Sequence, residues 1–355
     1  MRGISRCSCT RFTSSCYGRR WSQGCNASPQ GARGNERFLL GGLVQANPAL
    51  LQKILLSPKD LSTTLSWEAV FGRKAPLCVE VGFGNGEFLT WWSGKEPDKD
   101  FVGIEMPREC IVKACAELEV FERGNVRLVQ GDARYLLREL FPYASIEKVL
   151  MQFPLPWPKD KHAKHRVIGS RWAATLADVL VPGGGFELIT DQGWYAEEAA
   201  AAFSNHGGFQ VSAPMLTNDR PFMTRYEKKW EKEGRETWKV EAILIQPFSA
   251  DRFFLTSPVT HHHLPALPSN QLMKSLKGAR FQGQGNVVEV KEVFGAESGW
   301  LLKMVASDES FSQIYFVRIA NRSDGRALLK LEEGSRPFWT RAVRFGLDEL
   351  EKRLS

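Results

Sequence analysis

The sequence predicts an α/β fold with a doubly wound, mostly parallel sheet, followed by a small C-terminal α+β domain. Three observations predict it. From Leu77 to Ile245, short apolar runs alternate with helical periodicities, the rhythm that builds a parallel sheet with helices on both faces. The first apolar run opens into a glycine-rich turn, VEVGFGNGEF over Val79–Phe88. Beyond residue 270 the pattern changes to alternating apolar and polar residues and closes on one amphipathic stretch. The chain therefore divides into a leader (1–36), a main domain (37–247), a linker (248–270) and an accessory domain (271–355).

Each element has its own signal. Leu77–Val81 reads as a first strand, and Glu87–Trp92 begins its helix. The run FVGIE (Phe101–Glu105) is a second strand, followed by a helix near Arg108–Phe121. Val126–Gln130 is a third strand, ended by Asp132, and Ile146–Phe153 holds a fourth. A helix over Ser170–Leu180 leads to a sharp turn at Pro182–Gly185 and a fifth strand, Phe186–Thr190, ended by Asp191. Ala196–Phe203 is helical; Phe209–Ala213 and Trp238–Ile245 are closing strands. In the accessory domain, Asn286–Phe294, Trp300–Val305 and Ser312–Ile319 read as strands. Arg341–Leu354 is helical, with Val343, Leu347, Leu350 and Leu354 on one side.

Composition bounds the function classes. The 355 residues are 43% hydrophobic and 25% charged, ordinary for a globular chain of about two domains. No run of 18 or more apolar residues occurs, so no membrane partner is expected. A formal net charge of +7 admits a polyanionic partner without requiring one. The leader is rich in arginine and serine and has no acidic residue before Glu36; disorder, an organelle transit peptide and a start site placed too far upstream are its three readings. Cys7, Cys9, Cys16 and Cys25 match no zinc spacing, and the His261–His263 run lies in the Pro-rich linker as loop, so no metal is expected. Cys78, Cys110 and Cys115 lie in apolar segments and read as buried thiols in a reducing compartment, the cytoplasm.

The glycine turn points to a nucleoside cofactor. Gly82, Gly84 and Gly86 alternate, so the backbone can pass close to a ligand. Glu105, at the end of the next strand, is placed to accept hydrogen bonds from a ribose hydroxyl pair. The pattern differs from the G-x-G-x-x-G of dinucleotide folds, because Glu80 sits inside the strand end, where it repels a pyrophosphate and attracts an amino group. This favours S-adenosylmethionine. Asp132 has two readings, an acceptor for the adenine amino group or a cap for the helix that follows it.

The segments VEVGFGNGEF, FVGIE, VQGDA, FPLPWPKDKHAKHR, LVPGGGFELITD and TRYEKKW occur in that order. Over roughly residues 40–247 this ladder resembles the bacterial tRNA (guanine-N7-)-methyltransferase family, whose members are Rossmann-like class I methyltransferases. The first two segments are common to most class I methyltransferases; the P-W-P-K…H-x-K-H-R and T-R-Y-E blocks are the specific ones. The resemblance implies S-adenosylmethionine as cofactor, tRNA as partner and N7 of a guanine in the variable loop as the methyl acceptor. It assigns Glu80, Glu105 and Asp132 to the cofactor, with Gly82, Gly84 and Gly86 at the turn. Lys159, Asp191 and the Thr224–Glu227 segment, with Arg166 in the basic block, fall to the substrate.

Guanine N7 carries a lone pair and no proton, so alignment rather than base catalysis is the main demand. Asp191 and Glu227 are the candidates for holding the N1–H and N2–H₂ edge and offsetting the positive charge of the product. Thr224 and Arg225 orient the loop or contact phosphate. Glu227 has a second reading as half of a surface ion pair on a helix. Trp157 either stacks on a base or packs in the core.

One departure stands out. The family's catalytic aspartate position is Leu155 here, in FPLPW. Either alignment suffices without it, another acid such as Asp160 or Asp191 substitutes, or activity is weak. A catalytically silent RNA-binding protein of the same fold, or a methyltransferase with another substrate, is the alternative. The accessory domain docks on the main domain, binds RNA or joins two copies, leaving monomer and homodimer both open.

Overall fold

The computed structural model describes residues 48–57, 66–159, 161, 165–217, 220–224, 227–228, 233–255, 261–283 and 285–355. The leader 1–36, Asp160 and Arg225 lie outside the described residues.

The main domain runs α1 (Pro48–Ile54), β1 (Leu55–Leu56), α2 (Trp67–Phe71), β2 (Leu77–Val81), α3 (Glu87–Lys95), β3 (Asp100–Glu105), α4 (Arg108–Val120), β4 (Val126–Gln130), α5 (Ala133–Leu140), β5 (Ile146–Gln152), α6 (Ser170–Val179), β6 (Leu180–Thr190), α7 (Gly193–His206), β7 (Phe209–Val211), β8 (Met215–Leu216) and β9 (Trp238–Leu244). The strands form one sheet in the order β1-β4-β3-β2-β5-β6-β9-β7, with β8 also on β9. Pairings from β1 through β6 are parallel, and β9 runs antiparallel to β6, β7 and β8. Strand order reverses between β2 and β5, the kind of switch point at whose carboxyl ends open α/β sheets bind ligands.

Period-2 alternation sends neighbouring side chains to opposite faces. Val79 and Val81 pack with Leu136 of α5, Trp172 of α6 and Phe203 of α7. Cys78 faces the other way, with Leu89 of α3 and Ile111 and Leu118 of α4. Glu80 shares the parity of Cys78 and is buried at 2% exposure, and Gln152 at the end of β5 is buried at 8%. Cys110, expected to be buried, is half-buried at the start of α4.

Pro182–Gly185 does not form the expected free turn. It lies within β6 as an irregularity: Ile146 pairs with Leu180, then Lys148 with Gly185. Gly183 takes φ +80, which a side chain resists, and a Cβ at Gly184 would come within 2.9 Å of the Glu147 carbonyl oxygen.

The accessory domain contains β10 (His261–Leu264), α8 (Asn270–Ser275), β11 (Arg280–Gly283), β12 (Asn286–Ala296), β13 (Gly299–Asp308), β14 (Phe311–Asn321), β15 (Ala327–Leu331) and α9 (Arg341–Leu354). The strands form an antiparallel sheet, β10-β15-β14-β13-β12-β11. Helix α9 covers one face through Val343, Leu347, Leu350 and Leu354, as its periodicity predicts. Thr340 caps it, accepting from the Val343 N–H at 3.4 Å.

The histidine run is strand, not loop. His261–Leu264 pairs residue for residue with Lys330–Ala327 and closes an edge of this sheet, so the domain begins inside the expected linker. The stretch before it is also fixed. Glu139 of α5, fully buried, accepts from the backbone N–H groups of Phe253 (2.9 Å) and Phe254 (3.0 Å). Asp178 of α6 accepts from the Ala250 N–H at 3.1 Å and pairs with Arg252 at 2.5 Å. Prolines and histidines read as a linker locally, but buried carboxylates on another helix supply the acceptors that hold it.

Replacing Glu139 by alanine orphans one buried and one half-buried N–H group and is expected to destabilise the chain by about 2–6 kcal/mol, since each costs roughly 1–3 kcal/mol. A lowered midpoint in urea unfolding checks this, and an unchanged midpoint contradicts it.

Candidate active site

The site is built on the glycine turn between β2 and α3. Gly82, Gly84 and Gly86 take φ of +74, +56 and +83, a region that L side chains resist. The three do different work. A Cβ at Gly86 would lie 2.6 Å from the Ala114 Cβ, so this glycine lets α3 pack on α4. A Cβ at Gly82 or Gly84 meets nothing within 4 Å, so the turn is open on that side. Glu105 stiffens the turn: its Oε2 accepts from the Gly84 N–H at 3.0 Å and its Oε1 from the Met106 N–H at 2.8 Å.

Behind the turn lies a buried polar chain that no sequence motif announces. Gln152 Nε2 donates to Glu80 Oε1 at 3.2 Å, across the switch point between β2 and β5. Gln152 Oε1 accepts from Arg220, whose guanidinium also pairs with Glu227. The Arg220 and Glu227 side chains are 8% and 4% exposed. Burial draws the Arg220 guanidinium below its ordinary value. Arg220 lies 5.9 Å from the ring centres of both Phe88 and Phe153, and Phe222 stacks on Trp91 at 5.4 Å. A glutamine inside the apolar strand run LMQF, and an arginine beside Pro221 and Phe222, were the available signals.

Glu80 Oε2 has no hydrogen-bond partner among the described residues. Burial pushes the Glu80 carboxyl up to about 8, with the Gln152 hydrogen bond and Arg220 pulling the other way. An unpartnered carboxylate oxygen next to an open glycine turn is suited to a cationic donor.

Glu227 fits neither of its predicted roles unchanged. It is neither on the surface nor free to face a ligand with both oxygens. One oxygen takes Arg220, and the other accepts from the Thr224 N–H at 2.7 Å. The Thr224 hydroxyl accepts from the Glu227 N–H at 3.4 Å, which completes a capping box. The T-x-x-E spacing that marks this motif was legible in TRYE.

Asp132 caps α5, accepting from the Arg134 N–H at 3.0 Å, and Arg134 pairs with it at 2.6 Å. Arg166, assigned to the substrate by the resemblance, is held by contacts within the fold. It donates to Glu198 Oε1 and Oε2 at 3.1 Å and to the Trp157 carbonyl at 3.2 Å, and it lies 5.0 Å from the Trp194 ring centre. It thus ties the FPLPW loop to α7. Phe153 and Trp157 bound that loop with φ of +48 and +47, positions that cost about 1–3 kcal/mol each and persist only where the surroundings hold them. Leu155 is 70% exposed at its crest. Trp157 is not in the core: it is exposed, 5.2 Å from the His165 ring. Lys159 and Lys161 are exposed beside it. Asp191, at the end of β6, lies 3.5 Å from the half-exposed Arg235.

A family model described as "Putative methyltransferase" matches residues 74–240. A tRNA (guanine-N(7)-)-methyltransferase of Thermotoga maritima is 37% identical over 293 residues, covering 82% of this chain and 93% of that protein. The chain belongs to the tRNA (guanine-N(7)-)-methyltransferase family. A Coprothermobacter proteolyticus relative of the same name is 28% identical over 298 residues, covering 82% and 90%. One from Nitrosococcus oceani is 37% identical over 181 residues, 50% of this chain and 76% of its own. The two longer alignments extend past residue 247 into the accessory domain.

The raised Glu80 value sets a pH dependence. The fold favours the protonated carboxyl, so this contribution to stability is complete below the ordinary value of 4.5 and is lost as pH rises toward about 8. In ligand-free protein, Glu80→Gln is expected to remove that decline, which urea unfolding across the window measures. A Gln variant with the same pH slope contradicts the assignment.

Proposed function

We propose that this chain methylates N7 of a guanine in the tRNA variable loop, with S-adenosylmethionine as donor, in the cytoplasm. The observation that carries the reading is the buried, half-partnered carboxylate of Glu80 beside the open glycine turn, in a chain whose family acts on that atom.

The residues present fit the cofactor. Glu80 Oε2 would accept from the amino group of its amino-acid part. Glu105 keeps lone pairs beyond its bonds to Gly84 and Met106 for the ribose hydroxyls. Asp132 would accept from the adenine amino group while still capping α5. When bound, S-adenosylmethionine supplies an electrophilic methyl group on a sulfonium.

The chain's own residues have three tasks. They hold guanine N7 in line, and this lone pair needs no base to expose it. Asp191 accepts from the guanine N1–H and N2–H₂ edge and offsets the charge that develops on the purine. Lys159 and Lys161 neutralise phosphates, and the exposed Trp157 ring offers a stacking face. Glu227 is a positioning residue: it holds Arg220, and Arg220 holds Gln152 at the end of the strand that leads into FPLPW.

Mass mapping of nucleosides from unmodified tRNA treated with the protein and S-adenosylmethionine tests the reading; 7-methylguanosine is expected, and its absence contradicts it. Asp191→Ala is expected to lower kcat/KM for tRNA about 100-fold, the scale of losing one electrostatic stabiliser, with cofactor affinity within about twofold of wild type. At an exposed crest a new charge is well screened, so Leu155→Asp is expected to change turnover by less than about tenfold. A larger gain would show that the missing acid limits this enzyme.

A further inference from the structure

A cavity of about 420 Å³ lies one strand beyond Glu105, at the carboxyl ends of β1 and β4. Its size falls within the range of about 300–1,000 Å³ usual for small-molecule sites. Gln130, Gly131 and Asp132 line one side and Leu55 and Leu56 another. Ser57 and Leu136 of α5 also line it, and the accessory domain contributes Phe311 and Phe338.

The two phenylalanines are held in place by contacts across the domain junction. Phe311 follows the two-residue turn Glu309–Ser310 that joins β13 to β14. Glu309 takes φ +51, a conformation that side chains resist. The turn is gripped from the main domain, where Tyr135 of α5 donates to the Ser310 carbonyl at 2.9 Å and Arg171 of α6 donates to the Ser310 hydroxyl at 2.9 Å. Gln313 accepts from the Phe338 N–H at 2.8 Å and donates to its carbonyl at 2.9 Å. Phe338 stacks on Phe254 at 4.8 Å, and Phe311 lies 5.8 Å from Phe338. Both rings remain half-buried rather than fully covered.

Glu105 pairs in register with Gln130, and adjacent strands lie about 4.8 Å apart. A nucleoside whose ribose reaches Glu105 therefore brings its base to Asp132 and into this cavity. We propose that the accessory domain completes the cofactor site, with Phe311 and Phe338 forming the apolar face against which the adenine packs. The inference rests on S-adenosylmethionine being the cofactor. It makes the second domain a part of cofactor binding, not only an appendage.

The test is calorimetry on the full chain with two probes, S-adenosylhomocysteine and adenosine. Phe311→Ala and Phe338→Ala are expected to weaken both probes by the same factor, about tenfold, the size of losing an aromatic face against a base. Glu80→Gln is expected to weaken S-adenosylhomocysteine but not adenosine. Phe311→Tyr restores affinity, and the KM for tRNA stays within about twofold in the alanine variants. If wild type binds S-adenosylhomocysteine and both alanine variants bind it equally well, the inference is overturned while the cofactor reading survives. It is overturned equally if the variants lower the unfolding midpoint but not the affinity. If wild type binds neither probe, the cofactor reading fails and takes this inference with it.

Discussion

The site depends on one carboxylate being kept out of water. Glu80 is 2% exposed at the point where strand order reverses, and only Gln152 hydrogen-bonds it among the described residues. A buried ionised carboxylate with one bare oxygen is costly, so the ligand-free fold favours its proton. A cation at that oxygen reverses the balance. Binding of a cation there would be linked to protonation, and the polar chain runs on from Gln152 through Arg220 to Glu227. The same chain links the last residue of β5 to the TRYE turn, two segments far apart in sequence.

The two halves of the molecule share this organisation. The main sheet sets Glu80, Glu105 and Gln152 on one face at its carboxyl edge, because each shares the parity of residues packed against α3 and α4. The accessory sheet meets the edge of the same row through the β13–β14 turn and the aromatic group of Tyr135, Phe254, Phe311 and Phe338. Buried acceptors on α5 and α6 fix the connecting stretch, so the second domain is placed by hydrogen bonds as well as by apolar contact.

Much of this was legible in the chain. Strands β2 to β5 follow from apolar runs ending at Gly82, Glu105 and Asp132, which are local signals, whereas the packing of Gly86 against Ala114 of α4 is not one. The amphipathic stretch Arg341–Leu354 was equally plain. What escaped was non-local. His261–Leu264 becomes strand only because Ala327–Lys330 offers it an edge. Pro182–Gly185 carries turn residues, yet it lies within β6 as an irregularity in the ladder with β5. Arg166 sits in a basic run, and its pairing with Glu198 on a later helix could not be read there. Gln152 and Arg220 gave no motif, since a buried polar chain is visible only once its members meet in space.

The most direct measurement of the central claim is the proton balance of cofactor-site binding. Titration of S-adenosylhomocysteine near pH 7, in buffers of different ionisation enthalpy, reads it out. Because the Glu80 carboxyl is held protonated to about 8, binding of the ligand's ammonium is predicted to release roughly one proton, and Glu80→Gln to abolish the release. Binding without proton release in the wild-type chain would contradict the account.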